Sequence, residues 1–274
     1  MAALQARNDS PAARLRSAAE RDPGRPSAKL VRHPSFTAAA RLATVRREEC
    51  IANVSHELRT PLTVLLGFIE TVRDLRLDPG SSHDYLGLME QQCKRMQRII
   101  EDLLQLSTLE SASEPPADER IDVRALLGRI RSDAEALSAG RHRIELEVED
   151  GFDLLGAERE IASAFGNLAG NAVRYTPPGG VVRLVWRASP KGAVFSVEDT
   201  GIGFEKQHIP RLTERFYRVD RDRSRQCGGT GLGLALVKQA LSRHQATLEI
   251  ESEPGRGSRF TARFSAHRVI PATT

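Results

Sequence analysis

The amino-acid sequence predicts an α+β protein in which a helical hairpin precedes a domain of mixed helices and strands. Two observations predict the hairpin: apolar residues recur every three or four positions in two stretches, and Asp-Pro-Gly at residues 78–80 separates them as a turn signal. A third observation predicts the second domain. Beyond residue 120, segments of alternating apolar and polar residues are interspersed with segments of helical spacing. A sheet covered by helices on one face is the simplest packing of this pattern.

The predicted organisation has five parts. Residues 1–38, rich in Ala, Arg, Ser and Pro, show no sustained periodicity and are expected to form a disordered leader. Residues 39–110 form the hairpin, and residues 111–120 form a polar linker that contains two prolines. Residues 121–267 form the mixed domain, and residues 268–274 form a tail.

Charge and composition exclude several classes of protein. The net charge of +4 is concentrated in residues 1–47, which carry +7. This arm has almost no aromatic residues and no groove-reading motif, so we expect a solvated leader and no direct contact with nucleic acid. No apolar stretch reaches the roughly 18 residues of a membrane helix, so we expect the chain as given to be cytoplasmic. Its three cysteines, an odd number and far apart, argue against a disulfide framework or a zinc site.

Each helix of the hairpin carries one apolar stripe, which is too little to close a core. The second stripe, between Leu86 and Leu103, alternates steps of three and four residues as in a coiled coil. A second copy of the chain would close a four-helix bundle, so we predict a homodimer. Docking of the hairpin onto the following domain of the same chain is the rival arrangement.

A histidine on the first helix is predicted to point away from the apolar stripe. At about 100° per residue, His56 lies roughly 200° from Val54 and from Leu58, which places its imidazole in solvent. A neutral, exposed imidazole can accept a phosphoryl group, and Glu57 could take the proton from the other ring nitrogen. For a His-Glu pair alone, a surface histidine on an ordinary helix is the simpler interpretation.

The helix face around His56 is small and polar, as expected where another protein approaches the histidine closely. Pro61 removes one backbone hydrogen bond, which predicts a bend just beyond the histidine. The side chains that fall within about 60° of His56 on this face are Thr60, Thr63, Gly67 and Thr71.

Two asparagines in the mixed domain have the spacing of a nucleotide-binding helix face. Asn167 and Asn171 are four residues apart and therefore share one face of a predicted helix. Their amide oxygens suit Mg²⁺, and Arg174, which precedes Tyr175 a turn beyond, suits phosphate. The pair alone is weak evidence, because asparagine is also common at helix ends.

A strand end and a glycine turn indicate a second part of the same site. Asp199 closes a predicted strand, where its carboxylate could accept a hydrogen bond from an adenine amino group. Gly201 and Gly203 follow and would let the backbone come close to the ring. A plain turn is the alternative interpretation of this stretch.

A second glycine cluster leads straight into a predicted helix and is typical of an anion site. It is neither a Walker loop nor a dinucleotide fingerprint, because it lacks the Gly-Lys-Ser/Thr ending of the first and the third glycine of the second. Residues 205–227 precede the cluster and suit a mobile lid, with Phe216 and Tyr217 as its apolar anchor. The cluster consists of Gly228, Gly229, Gly231 and Gly233.

Taken in order, five motifs resemble the conserved boxes of sensor histidine kinases. They are "SHELRTPL", "NLAGNAVRYTPPGG", "DTGIGF", "ERFYRVD" and "GGTGLGLALVK", and they fall within residues 40–265. Within that family the sequences of these motifs are most similar to those of the sensor kinases of the phosphate regulon. The resemblance implies a dimerisation and phosphotransfer hairpin, followed by a Bergerat-type (GHKL) α/β sandwich that binds ATP.

The resemblance also implies a role for each motif residue. His56 would take the γ-phosphoryl group of ATP with Glu57 as base, and Thr60 would place the water that dephosphorylates a partner. That partner would be a response regulator, PhoB-like if the closer similarity holds, which accepts the phosphoryl group on an aspartate. Mg²⁺ and the phosphates would be bound by Asn167, Asn171 and Arg174, the adenine side by Tyr175 and Asp199, and the pocket and lid would be shaped by Gly201, Gly203, Phe216, Gly229, Gly231 and Gly233.

The sequence departs from the family pattern upstream of the histidine helix. Sensors of this kind carry membrane helices and usually a sensory domain there, so the chain would reach a membrane only through a region missing from its N-terminus. Two other functions stay open at this point. One is a Bergerat-fold ATPase that forms no phosphoprotein, and the other is a phosphatase or scaffold partner without autokinase activity.

Overall fold

The computed structural model describes residues 34–74, 78–220 and 229–272, with side chains from residue 51 onwards except that of Pro79. The chain divides into two units, Met1–Glu49 and Cys50–Thr274, and all contacts reported below lie within the second. The predicted leader falls outside the described residues up to position 33. Within the described part, no helix has the length and apolar character needed to cross a bilayer.

The helical hairpin is confirmed. Helix α1 runs from Pro34 to Asp74 and helix α2 from Pro79 to Ser111. Asp78 caps α2, because its carboxylate accepts hydrogen bonds from the backbone N–H groups of Gly80 at 2.9 Å and Ser81 at 3.0 Å. The helix begins at Pro34, so residues 34–38, predicted to belong to the leader, are helical instead; proline is well tolerated in a first helical turn.

The mixed domain contains a five-stranded sheet of the predicted kind. Its strand order is β2-β4-β5-β7-β6, with β2 and β4 parallel and every other pair antiparallel. The strands of this sheet are β2 (Arg143–Val148), β4 (Val181–Ser189), β5 (Gly192–Asp199), β6 (Thr247–Glu253) and β7 (Gly257–Ser265).

A second, three-stranded sheet was not predicted. It has the antiparallel order β1-β3-β8, and its strands are β1 (Glu119–Ile121), β3 (Phe152–Gly156) and β8 (Val269–Pro271). The predicted linker therefore ends in a strand, and the predicted tail contains one. Both outer strands have three residues, which is too short for a periodic pattern to be visible in the sequence.

Three helices pack against the large sheet and complete a mainly aliphatic core. They are α3 (Val123–Ser138), α4 (Glu158–Tyr175) and α5 (Gly233–Arg243). Phe165 on α4 stacks on Phe195 of β5, with ring centroids 3.9 Å apart. Leu106 and Leu109, near the end of α2, belong to the same buried core, so the last turns of the hairpin pack on the domain.

Candidate functional site

A cavity of about 190 Å³ opens between helix α4, the end of strand β5, the segment before residue 220 and the start of helix α5. Gly201 and Phe216 lie outside the cavity lining, although both contact residues that form it. The other residues predicted to bind nucleotide all line it: Asn167, Asn171, Arg174, Tyr175, Asp199, Gly203, Gly229, Gly231 and Gly233.

One end of the cavity combines a buried carboxylate with apolar walls. Asp199 is 9% exposed, and its Oδ1 accepts a hydrogen bond of 2.8 Å from the N–H of Gly201. Burial raises the pKa of Asp199 to about 6, against hydrogen bonds from the backbone of Gly201 and Ser258 that lower it. Four apolar side chains line the same cavity: Ile202, Phe204, Leu212 and Phe260.

Gly201 is required by a close backbone approach. A Cβ at this position would lie 2.5 Å from the carbonyl oxygen of Tyr175 and 2.5 Å from Asp199 Oδ1. Any larger residue would therefore push the end of α4 away from the carboxylate. Gly201, the first glycine of the "DTGIGF" motif, thus allows the end of α4 and the end of β5 to approach each other closely.

The opposite end of the cavity is polar and is formed by helix α4 and the start of helix α5. Asn167 donates its Nδ2 hydrogen to the carbonyl oxygen of Ser163 at 2.9 Å. Its Oδ1 faces α5, because a Cβ at Gly233 would lie 2.6 Å from that oxygen. Arg174 Nη1 lies 3.5 Å from Asn171 Oδ1, to which it donates. The oxygen of Asn167 therefore meets the positive end of helix α5, and Asn171 and Arg174 line the same cavity.

The chemistry of these donors fits Mg²⁺. Amide oxygens are hard ligands, and Mg²⁺ commonly takes few protein ligands together with water and phosphate oxygens. Among the described residues, no group of three or more His, Cys, Asp or Glu side chains could hold a metal ion. The two amide oxygens lie in a cavity that is also lined by the carboxylates of Asp102, Asp199 and Asp220.

The segment before the second glycine cluster is fixed to that cluster by the backbone of Phe216. Phe216 adopts φ 62° and donates its N–H to the carbonyl oxygen of Gly231 at 2.8 Å. Gly231 has φ 74°, and a Cβ there would lie 2.8 Å from Phe216 Cα. Residues 221–227 of the predicted lid and Gly228 of the glycine cluster lie outside the described residues.

Tyr217 is the second predicted anchor of this segment, and it lines the cavity. Its hydroxyl lies 2.7 Å from His208 Nδ1, and the guanidinium of Arg211 lies 4.4 Å from the centre of its ring. The 3₁₀ helix Lys206–Arg211 supplies both partners. Tyr217 is thus held by a hydrogen bond at its hydroxyl and by a cation–π contact at its ring.

Residues of the hairpin also line the cavity, which the sequence did not indicate. Arg98 and Asp102 on α2 both reach it, and Thr230 Oγ1 donates a hydrogen bond of 2.7 Å to Asp102 Oδ2. Burial raises the pKa of Asp102. In the sequence, these two residues are ordinary charged neighbours of an apolar stripe, so no local signal distinguishes them.

Glu57 connects the hairpin to the segment before the glycine cluster. It accepts hydrogen bonds from Arg218 Nη2 at 2.9 Å and from Arg95 Nη2 at 3.2 Å. The side chain of Arg218 is only 4% exposed, and the same Nη2 donates to the carbonyl oxygen of Gly229 at 2.7 Å. Arg218 belongs to the "ERFYRVD" motif, but sequence reasoning gave it no role because its partner lies 161 residues away.

His56 is exposed, as predicted, and it does not line the cavity. Thr60 is exposed too, and its hydroxyl donates to the carbonyl oxygen of His56 at 3.3 Å. Helix α1 continues through Pro61, which is buried. The structure therefore brings the predicted nucleotide residues together and leaves the predicted phosphoryl acceptor outside them.

Two family models match the chain. Residues 46–112 match the His Kinase A (phospho-acceptor) domain, and residues 156–268 match the histidine kinase-, DNA gyrase B- and HSP90-like ATPase. The second match confirms the predicted Bergerat-type domain. The phosphate regulon sensor protein PhoR of Pseudomonas aeruginosa is 52% identical over 228 residues, which cover 82% of this chain and 52% of that protein. The chain thus spans about half the length of this relative.

Solved structures of histidine kinases share the fold. ShkA in complex with AMPPNP is 26% identical with a TM-score of 0.58, and the match covers 82% of this chain and 46% of that one. ThkA in complex with the response regulator TrrA is 20% identical with a TM-score of 0.62, covering 83% and 64% of the two chains. Its identity is low enough that this second likeness concerns the fold alone. With its phospho-acceptor hairpin and its ATPase domain, the chain belongs to the sensor histidine kinases.

Proposed function

We propose that this chain is an ATP-dependent protein-histidine kinase that phosphorylates itself on His56 and passes the phosphoryl group to an aspartate of a response regulator. The observation that carries the proposal is the cavity, which joins a buried carboxylate at one end to two asparagines and an arginine at the other. That arrangement suits adenine at one end and phosphates at the other. The AMPPNP bound to the related ShkA supports the same assignment.

In this proposal each end of the cavity recognises one part of ATP. Asp199 accepts a hydrogen bond from the adenine amino group, and Tyr175 borders the ring. Arg174 and the glycine amides at the start of α5 bind phosphate oxygens. Asn167 and Asn171 would hold Mg²⁺, which neutralises part of the phosphate charge when it is bound.

The chemical step needs little from the chain beyond a nucleophile, a base and correct placement. A neutral ring nitrogen of His56 attacks the γ-phosphorus, the bond to the β–γ bridging oxygen breaks, and ADP leaves. Glu57 accepts the proton from the other ring nitrogen, which keeps the attacking nitrogen basic. Because His56 does not line the cavity, the reaction requires the ATPase domain to move or the histidine of a second copy to enter.

The phosphohistidine then donates to a response regulator. The polar face around His56 stays exposed in the structure, as an approaching partner requires; Thr60 and Thr63 both lie on it and are exposed. We place the regulator in the PhoB-like class on the similarity to PhoR, and we assign Thr60 to water placement in the reverse dephosphorylation. ThkA, with which this chain shares its fold, was itself solved with a response regulator.

The proposed active form is a homodimer. The hairpin docks onto the domain of the same chain, as in the rival arrangement, through Leu106 and Leu109 near the end of α2 and through the Glu57–Arg218 and Asp102–Thr230 contacts. Further up the hairpin, large apolar side chains are left exposed on both helices, which is the surface that a second hairpin would cover. Those that share one face of their helix are Ile51, Leu62, Leu66 and Ile69 on α1 and Leu86, Ile100 and Leu104 on α2.

A charge placed on this stripe should dissociate the dimer. We expect Leu66→Glu to shift the mass measured by light scattering from two chains to one at micromolar concentration, because a carboxylate would be buried without a partner. Thr63→Glu, at an exposed position on the histidine face, is the matched control and should stay dimeric. A dimeric Leu66→Glu variant would contradict the four-helix bundle.

Labelling with ATP tests the proposed function. The chain incubated with γ-labelled ATP and Mg²⁺ should acquire label that is acid-labile and alkali-stable, and mass spectrometry should place it on His56. ATP hydrolysis in many turnovers without a labelled chain would indicate an ATPase. Binding of a response regulator without labelling would indicate a scaffold or phosphatase partner. Either result would overturn the kinase assignment.

A further inference from the structure

Asp102 places a carboxylate of the hairpin inside the cavity. It projects from helix α2, lines the cavity and accepts a 2.7 Å hydrogen bond from Thr230 Oγ1. It lies at the phosphate end, because Thr230 stands between Gly229 and Gly231 just before helix α5. An acidic side chain at a site expected to hold phosphates needs a physical explanation.

The surroundings of Asp102 are those of an anion site. Arg174 and Arg98 are close enough to favour its ionised form, although burial acts in the opposite direction. Thr230 Oγ1 also accepts a hydrogen bond of 3.2 Å from the N–H of Leu232. A hydroxyl group has only one proton to donate, and in this arrangement that proton is committed to Asp102.

The carboxylate therefore uses donors and charges that a phosphate group would also use. Thr230 cannot donate to Asp102 and to a phosphate oxygen at the same time, and Arg174 would serve both anions. In addition, a terminal phosphate and Asp102 carry charges of the same sign, which repel each other strongly in a partly enclosed cavity. ATP carries a γ-phosphate that ADP lacks, so ATP experiences more of this repulsion than ADP does.

We propose that Asp102 sets the preference of the cavity between ADP and ATP, an inference that rests on the proposed function. With the end of the hairpin docked, Asp102 disfavours the γ-phosphate, so this arrangement accepts ADP more readily than ATP. Binding of ATP then requires the Asp102–Thr230 contact to open. By linkage, the same repulsion makes ATP weaken the docking of α2.

The substitution Asp102→Asn tests this role, because it keeps an acceptor for Thr230 and removes the charge. We would measure Kd for ADP and for ATP, both with Mg²⁺, by competition against a fluorescent nucleotide on the whole chain. Affinity for ATP relative to ADP should rise about tenfold, which corresponds to about 1.4 kcal/mol. Asp102→Ser should shift the ratio in the same direction. Glu101 is an exposed residue on the same helix, and its Oε1 accepts a hydrogen bond from Gln97 Nε2. The control substitution Glu101→Gln should leave the ratio of ATP affinity to ADP affinity within about twofold of wild type.

A second readout follows the docking itself. Amide hydrogen exchange at residues 98–109 should speed up when the wild-type chain binds the non-hydrolysable analogue AMPPNP and should change little with ADP. In Asp102→Asn the two nucleotides should give the same exchange. An unchanged affinity ratio in a variant that binds both nucleotides overturns the role of Asp102 and leaves the proposed function intact. A wild-type chain that binds neither nucleotide overturns both.

Discussion

Replacement of Glu57 by glutamine should lower the rate of self-phosphorylation by a factor of about 10² to 10⁴, the range of general base catalysis. Glutamine keeps the length of the side chain but cannot take a proton from the imidazole. The measurement is the initial rate of label incorporation from γ-labelled ATP at saturating nucleotide. The His56→Ala variant gives the background of the assay.

The structure adds a second effect of the same substitution. Glu57 is the anionic partner of Arg218 and Arg95, whose side chains are 4% and 10% exposed. A neutral glutamine would remove a negative charge that both buried guanidinium groups contact, which is unfavourable for buried ions. We therefore expect Arg218 to separate from the hairpin more easily. We also expect the rate of self-phosphorylation to fall without a loss of ATP affinity.

The matched control is Glu70→Gln, which removes an exposed carboxylate from the same helix. It should label at the wild-type rate. If Glu57→Gln also labelled within about threefold of wild type, Glu57 would be a structural ion-pair partner only, and another base would have to be sought.

Asp199 should make nucleotide affinity depend on pH. Its pKa of about 6 lies close to neutrality because the carboxyl is buried. The ionised form is the stronger acceptor for an adenine amino group, so affinity for ADP should rise as pH increases from about 5 to 7 and level off above. In Asp199→Ala, affinity at pH 7.5 should fall about tenfold to a hundredfold, as for other buried hydrogen bonds to a charged group. Calorimetric titration with ADP at several pH values measures both effects.

The same raised pKa affects stability with the opposite sign. In the unfolded chain the carboxyl ionises near 3.9, and in the folded chain near 6, so between these values the folded state binds more protons. The contribution of Asp199 to stability is therefore favourable at low pH and is lost as pH rises through about 6. A difference of about two pKa units between the folded and unfolded states corresponds to about 3 kcal/mol in the free energy of unfolding.

The variant Asp199→Asn separates these two effects from all others. Without an ionisable group, the nucleotide-free domain should gain thermal stability at pH 8 and not at pH 4. The dependence of ADP affinity on pH should disappear in the same variant. If the difference in melting temperature between wild type and Asp199→Asn were the same at pH 4 and at pH 8, the buried carboxyl would not be the origin of the effect.

The sequence predicted the parts of the fold whose pattern is long and regular. Helix α4, the strand pair β4 and β5, and helix α5 all have enough residues for their periodicity to show. Strands β1 and β8, with three residues each, could not be seen, because their register depends on strand β3, far away along the chain. The residues expected at the nucleotide site were likewise found because each belongs to a local motif.

The missed residues of the site share a different property. Arg218 meets Glu57 across 161 residues, and Thr230 meets Asp102 across 128 residues. Each is one charged or polar side chain on an element that is otherwise ordinary, so nothing in its own neighbourhood indicates a partner. Such contacts depend on how the domain docks on the hairpin, and local spacing does not determine that docking.

The small sheet has a mechanical consequence for the chain. Strand β1 follows the linker from the hairpin, strand β8 lies at the end of the described chain, and both pair with strand β3. Arg268, before β8, also pairs with Asp118, before β1. Strand β8 and the Arg268–Asp118 pair thus strengthen the attachment of the linker to the small sheet. Deletion of residues 269–271 should therefore weaken the mechanical coupling between the hairpin and the ATPase domain.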